Sequence, residues 1–120
     1  MRRLSNLSIL LLGAAVLALV VVAATAGGSP QAASTKRVSV KDNFFSPRSV
    51  TIRRGGKVTW IWRGQVDHNV RFRKVPSGAS RRGSSTKSSG RFTRSFSKRG
   101  RYTYVCTIHS PDMRGSVVVK

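Results

Sequence analysis

From Arg37 to the end of the chain, no stretch carries a helical period long enough to matter. Short runs of alternating apolar and polar residues recur instead, separated by turn residues, which is the signature of an all-β domain. Val38 and Val40 alternate within Arg37–Lys41, and Val50 and Ile52 within Ser49–Arg53. Val58, Trp60 and Trp62 share one face of a further strand, and Val70 and Phe72 one face of His68–Arg73. Phe92 and Phe96 face the same way in Arg91–Ser97. Arg94 interrupts that face, so a bulge or an edge position is expected there. Tyr102, Tyr104 and Cys106 share a face, and Val117, Val118 and Val119 read as a closing strand buried on both sides. Asp42–Pro47 reads as a loop whose two phenylalanines cap the core, and Lys74–Gly90 as a long, mobile, solvated loop. About seven strands of this kind bury most economically as two packed antiparallel sheets.

The first third of the chain has a different character. Met1-Arg2-Arg3 is basic, Ile9 to Ala24 is an unbroken run of apolar and small residues, and Ala24-Thr25-Ala26 fits a small-x-small cleavage site. Residues 1–26 therefore read as a secretory signal peptide. The alternative is an uncleaved anchor over residues 7–26, because the run nearly reaches the roughly 20 apolar residues that span a bilayer. Residues 27–36 are small and polar, include Pro30, and read as a linker; residues 37–120 are the domain. The expected location is exported: periplasmic, extracellular or cell-surface.

Export has a chemical consequence for the single cysteine. It cannot close an internal disulfide, and in an oxidising compartment a lone thiol is at risk unless something holds it. The charge balance is extreme, with 23 Lys and Arg against three Asp and no Glu, a formal net charge of +20. Such a field draws acidic partners and polyanions and governs encounter rates more than chemistry. Trp60 and Trp62 read as core, so no specific nucleic-acid site is expected.

The chemistry concentrates in Cys106-Thr107-Ile108-His109-Ser110-Pro111-Asp112-Met113. This segment holds the only cysteine, one of two histidines and the only methionine besides Met1; the other histidine, His68, opens a strand upstream. A structural zinc site would need four Cys or His ligands, and the chain has three in all. Neither an oxyanion hole nor a substrate pocket can be read around the Cys–His pair, so no enzyme is expected. Two histidines, one cysteine and a weak methionine form the trigonal set with a long axial ligand that marks blue-copper electron-transfer sites.

The motifs Val58-Thr59-Trp60-Ile61, Asp67-His68-Asn69-Val70-Arg71-Phe72, Gly100 to His109 and Met113 to Val119 resemble the cupredoxins, and within them the plastocyanin and amicyanin group. The resemblance covers Arg37 to Lys120. It implies a Greek-key β-sandwich of about seven to eight strands, one bound copper ion, and electron transport by a monomer. His68, Cys106 and His109 would be the strong ligands and Met113 the axial one. The Asn69 amide would donate to the Cys106 sulfur, and the Asn69 side chain would tie its loop to Thr107. The exposed edge of His109 would be the electron's exit. Two features depart from the pattern. Three residues separate His109 from Met113, a length between amicyanin-like and plastocyanin-like loops. Asp67 stands where related proteins often have proline; it is either a carboxylate that lowers the potential or a turn residue pointing to solvent.

The expected function is therefore an exported blue copper protein that carries single electrons between redox partners bearing acidic patches. Contact with a membrane would come only through the N-terminal segment. Two rivals stand beside it: a copper carrier or sequestering protein that uses the same ligands, and a basic β-sandwich that adheres to polyanions and for which copper is irrelevant.

Overall fold

The computed structural model describes residues 18–20 and 34–120. Most of the expected leader and of the expected linker, and the N-terminal helix, lie outside the described residues; within them, β1 begins at Thr35, two residues before the domain start expected at Arg37. Within them the protein is all-β: β1 (Thr35–Lys41), β2 (Phe44–Ser46), β3 (Ser49–Ile52), β4 (Lys57–Trp62), β5 (Arg71–Lys74), β6 (Arg91–Ser95), β7 (Gly100–Val105) and β8 (Arg114–Val119). They form two four-stranded sheets, ordered β2-β1-β4-β6 and β3-β8-β7-β5.

The inward faces are those the alternation predicts. Val38, Val40, Val58, Trp60, Val70, Tyr104 and Val117 are fully buried between the sheets, with Trp62 and Phe72 nearly so. Trp60 lies at the centre of an aromatic cluster. It stacks on Phe92 at 5.5 Å and meets Tyr104 and Phe72 edge-on at 5.4 and 6.0 Å. Offset and edge-on pairs of this kind add to the stabilisation from burial alone.

Several expectations need correction. The sheets are mixed: β1 runs parallel to β4, and β3 parallel to β8. Residues 42–47 do not form one loop. Asp42-Asn43 makes a tight turn, with Asn43 in the left-handed region at φ 72°, and Phe44–Ser46 returns as β2 against β1. Only Phe45 caps the core; Phe44 is half exposed. Strand β5 begins at Arg71, not His68, because His68 pairs with Lys87 in an isolated bridge.

The segment expected to be a free loop is held at several points. Ser84 is buried and its Oγ accepts the Val70 amide at 2.8 Å, while Arg94 donates to the carbonyls of Ser80 and Arg82 at 2.7 and 3.1 Å. Arg94 itself lies on the inward face of edge strand β6, without a bulge in its pairing to β4. Its guanidinium sits over the rings of Phe72, Phe96 and Tyr102 at 4.5, 4.7 and 5.3 Å. Cation–π contacts and two carbonyl acceptors replace the water a buried charge loses.

Candidate metal centre

The strand pairing brings the candidate ligands to one pole. Strand β5 runs antiparallel to β7 with Arg71 opposite Val105, so the residues just before β5 stand beside those just after β7. This sets His68 next to Cys106. Strands β7 and β8 pair with Val105 opposite Arg114, so the eight residues from Cys106 to Met113 must close a compact turn between them. The turn is bonded internally: Cys106 N–H donates to the Met113 carbonyl at 2.9 Å, His109 N–H to the Cys106 carbonyl at 3.3 Å, and Met113 N–H to the His109 carbonyl at 3.2 Å.

Within this frame the ligand atoms of His68, Cys106 and His109 all lie within 4.8 Å of one another. Both imidazoles turn Nδ1 towards the sulfur, His68 at 3.8 Å and His109 at 3.7 Å. Cys106 and His68 are fully buried, and His109 is partly exposed. Met113, at the far end of the turn, is also fully buried. A buried thiol facing two imidazole nitrogens is a soft donor set of suitable size for one copper ion.

The surroundings hold these ligands in place. The His68 backbone is fixed on both sides by the bridge to Lys87, at 3.0 and 3.1 Å, and its carbonyl accepts Trp62 Nε1 at 3.1 Å. Asn69 joins the two halves of the site. Its Nδ2 donates to Thr107 Oγ1 at 2.8 Å and Thr86 Oγ1 at 2.9 Å, and its Oδ1 accepts the Thr107 amide at 2.9 Å. This is the tie expected between Asn69 and Thr107, with Thr86 as a third member.

A second carboxylate enters that sequence reading left unassigned. Asp42, at the tip of the β1–β2 turn, places Oδ1 2.9 Å from His68 Nε2. The same carboxylate accepts the amides of Gln65 at 3.0 and 2.9 Å and of Val66 at 3.2 Å. The hydrogen bond with His68, followed by that from Gln65, holds the Asp42 carboxyl below its ordinary pKa. Asp67, in contrast, is exposed and makes no side-chain hydrogen bond among the described residues. The parallel pairing of β1 with β4, Val40 beside Trp62, carries Asp42 to the histidine loop. The sequence separation of 26 between Asp42 and His68 hides this neighbourhood from any motif spacing.

Comparison with known proteins agrees with this geometry. Residues 32–120 match the family model for copper binding proteins, plastocyanin/azurin family. Amicyanin of Paracoccus denitrificans is 34% identical over 84 residues, covering 69% of this chain and 63% of that protein, just under two thirds of its length. Plastocyanin of Scenedesmus fuscus is 33% identical over 84 residues, covering 63% of this chain and 86% of that protein. Among solved structures, the purple cupredoxin from Nitrosopumilus maritimus superposes with a TM-score of 0.61 at 27% identity, covering 71% of this chain and 99% of that one. Fold, donor set and sequence similarity converge: the chain belongs to the plastocyanin/azurin family of copper-binding proteins, the cupredoxins.

Proposed function

We propose that this protein is an exported blue copper protein that carries single electrons between redox partners. His68, Cys106 and His109 would hold the metal, with the buried Met113 thioether as a weaker fourth donor. The observation that carries the reading is the convergence of the two Nδ1 atoms on a fully buried thiol. Bound copper would supply a one-electron couple at that point. The chain's own part is to hold the ligands still. His68 is fixed by the Lys87 bridge, Cys106 by the hydrogen bond from its amide to the Met113 carbonyl, and the loops by Asn69, so little of the protein need rearrange when the charge at the site changes. The Asn69 backbone amide is proposed as a donor to the sulfur, tuning it as outer hydrogen bonds do.

The route outward is the partly exposed His109 ring. Ile108 beside it is half exposed, as is Val66 in the loop leading to His68, so the loops at this pole offer apolar contact. Beyond them, Arg48, Lys74, Arg101 and Arg114 line a groove over the outer face of β7 and β8. That pattern suits a partner with an apolar docking point flanked by carboxylates, and association should weaken with salt. Export fits the apolar run from Ile9 to Ala24 and a lone cysteine that ligation would protect.

Redox cycling of the copper-loaded protein in the presence of a Cu(I) chelator tests the reading. An electron carrier keeps its metal through repeated cycles; ready loss of copper to the chelator would mark a carrier of the metal instead.

A further inference from the structure

Asp42 is built into the site more firmly than an incidental neighbour would be. Its Oδ1 meets His68 Nε2 at 2.9 Å and also accepts the amides of Gln65 and Val66, while Oδ2 accepts the Gln65 amide as well. Gly64 makes the arrangement possible, because a Cβ there would run into the Asp42 carboxylate. The bridge to Lys87 and the bond from Trp62 fix the backbone of His68, and the ring is fully buried, so it has little freedom to turn away.

A neutral imidazole carries one N–H, and an ionised carboxylate can only accept. With Asp42 at Nε2, the proton belongs on Nε2, and Nδ1 presents its lone pair towards the Cys106 sulfur. A carboxylate on the outer nitrogen also makes the inner one a better donor, as in carboxylate–histidine–metal triads. A stronger donor, with a negative charge behind it, favours the more highly charged metal ion.

We propose that Asp42 is a positioning residue that locks His68 in the Nε2–H tautomer and biases the bound metal towards Cu(II). The second half rests on the reading of His68 as a copper ligand; the first half does not. Asp42 would thereby take the potential-lowering role that the sequence offers to Asp67, which is nearer in sequence but exposed and makes no side-chain hydrogen bond to the histidine.

The test uses the full domain in two states. In metal-free protein, nitrogen-15 NMR of the histidine rings should show His68 as the Nε2–H tautomer in the wild type. Asp42→Ala should mix in the Nδ1–H form. Asp42→Asn keeps an oxygen that can accept from Nε2 and should largely preserve the tautomer while removing the charge. In copper-loaded protein, Asp42→Asn should lower the preference for Cu(II) over Cu(I) about tenfold, a 59 mV rise in a one-electron potential. Gly64→Ala, which displaces the carboxylate without changing it, should raise the potential in the same direction. Asp67→Asn should change the preference less than twofold. An unaltered tautomer in Asp42→Ala overturns the lock, whether or not copper binds. A shift below twofold in Asp42→Asn, or an equal shift in Asp67→Asn, overturns the bias. Failure of all variants and the wild type to take up copper would instead remove the ligand reading and leave the tautomer result to decide the rest.

Discussion

Asn69 and Thr107 are tied by two hydrogen bonds: Nδ2 donates to Thr107 Oγ1 at 2.8 Å, and the Thr107 amide donates to Asn69 Oδ1 at 2.9 Å. The pair is 38 residues apart in sequence and links the loop of His68 to the turn of Cys106 and His109. Asn69 is nearly fully buried and makes three hydrogen bonds, to the Thr107 amide and to the Thr107 and Thr86 hydroxyls, all of which its removal deletes. Asn69→Ala should cost about 2–3 kcal/mol in urea unfolding, more than a single surface hydrogen bond is worth. It should also slow or heterogenise copper uptake, because the two halves of the donor set lose their common anchor. Unchanged stability would mean the tie is incidental.

Arg94 offers an independent test of how the segment after β5 is held. Its guanidinium donates to the carbonyls of Arg82 and Ser80 and lies over three aromatic rings. Arg94→Ala should destabilise the domain by about 2–3 kcal/mol and raise the rate of tryptic cleavage after Arg81 and Arg82. Arg94→Lys keeps the charge but not the planar fork, and should recover only part of the loss. Denaturation and limited proteolysis of the same two variants measure both effects.

Tyr104 gives the fold an alkaline limit. Its ring is fully buried and its hydroxyl has no hydrogen-bond partner among the described residues; Trp60 Nε1 tempers the effect without forming a full bond. Burial pushes the pKa up to about 12, against about 10 in an unfolded chain. A raised acid pKa means the folded state keeps its proton longer than the unfolded state. The contribution is therefore intact below pH 10 and declines as pH rises from about 10 to about 12, by roughly 3 kcal/mol in all. Tyr104→Phe should flatten that decline at little cost near neutrality. An identical alkaline slope in the variant would assign the loss elsewhere.

Salt should separate docking from electron transfer. With 23 basic residues and only three acidic ones, association with an acidic redox partner should slow as ionic strength rises. Charge reversal at Arg48 and Arg114, which line the groove over β7 and β8, should slow it further at low salt while leaving the copper spectrum unaltered. Rates insensitive to both would argue against an electrostatically steered complex.

Most of the framework was legible in the sequence because it rests on period-two alternation. Val38 and Val40, Val50 and Ile52, and Trp60 and Trp62 all face inward as that pattern requires. The candidate ligands were legible because rare residue types cluster in one short turn. What escaped depends on pairing at a distance. Three residues, Phe44–Ser46, are too few to show alternation, so β2 read as loop. Nothing in a serine-rich segment announces that Ser84 will meet the Val70 amide or that Lys87 will bridge His68. The Asp42–His68 contact follows from the parallel pairing of β1 and β4, a property of topology rather than of either residue's neighbours.

Stoichiometric addition of Cu(II) to the purified protein decides whether Cys106, His68 and His109 form one copper site. One equivalent of tightly held copper is expected, with an intense blue thiolate-to-copper absorption that is absent in Cys106→Ser. A colourless mixture, or slow reduction of Cu(II) with formation of a disulfide-linked dimer, would contradict that site.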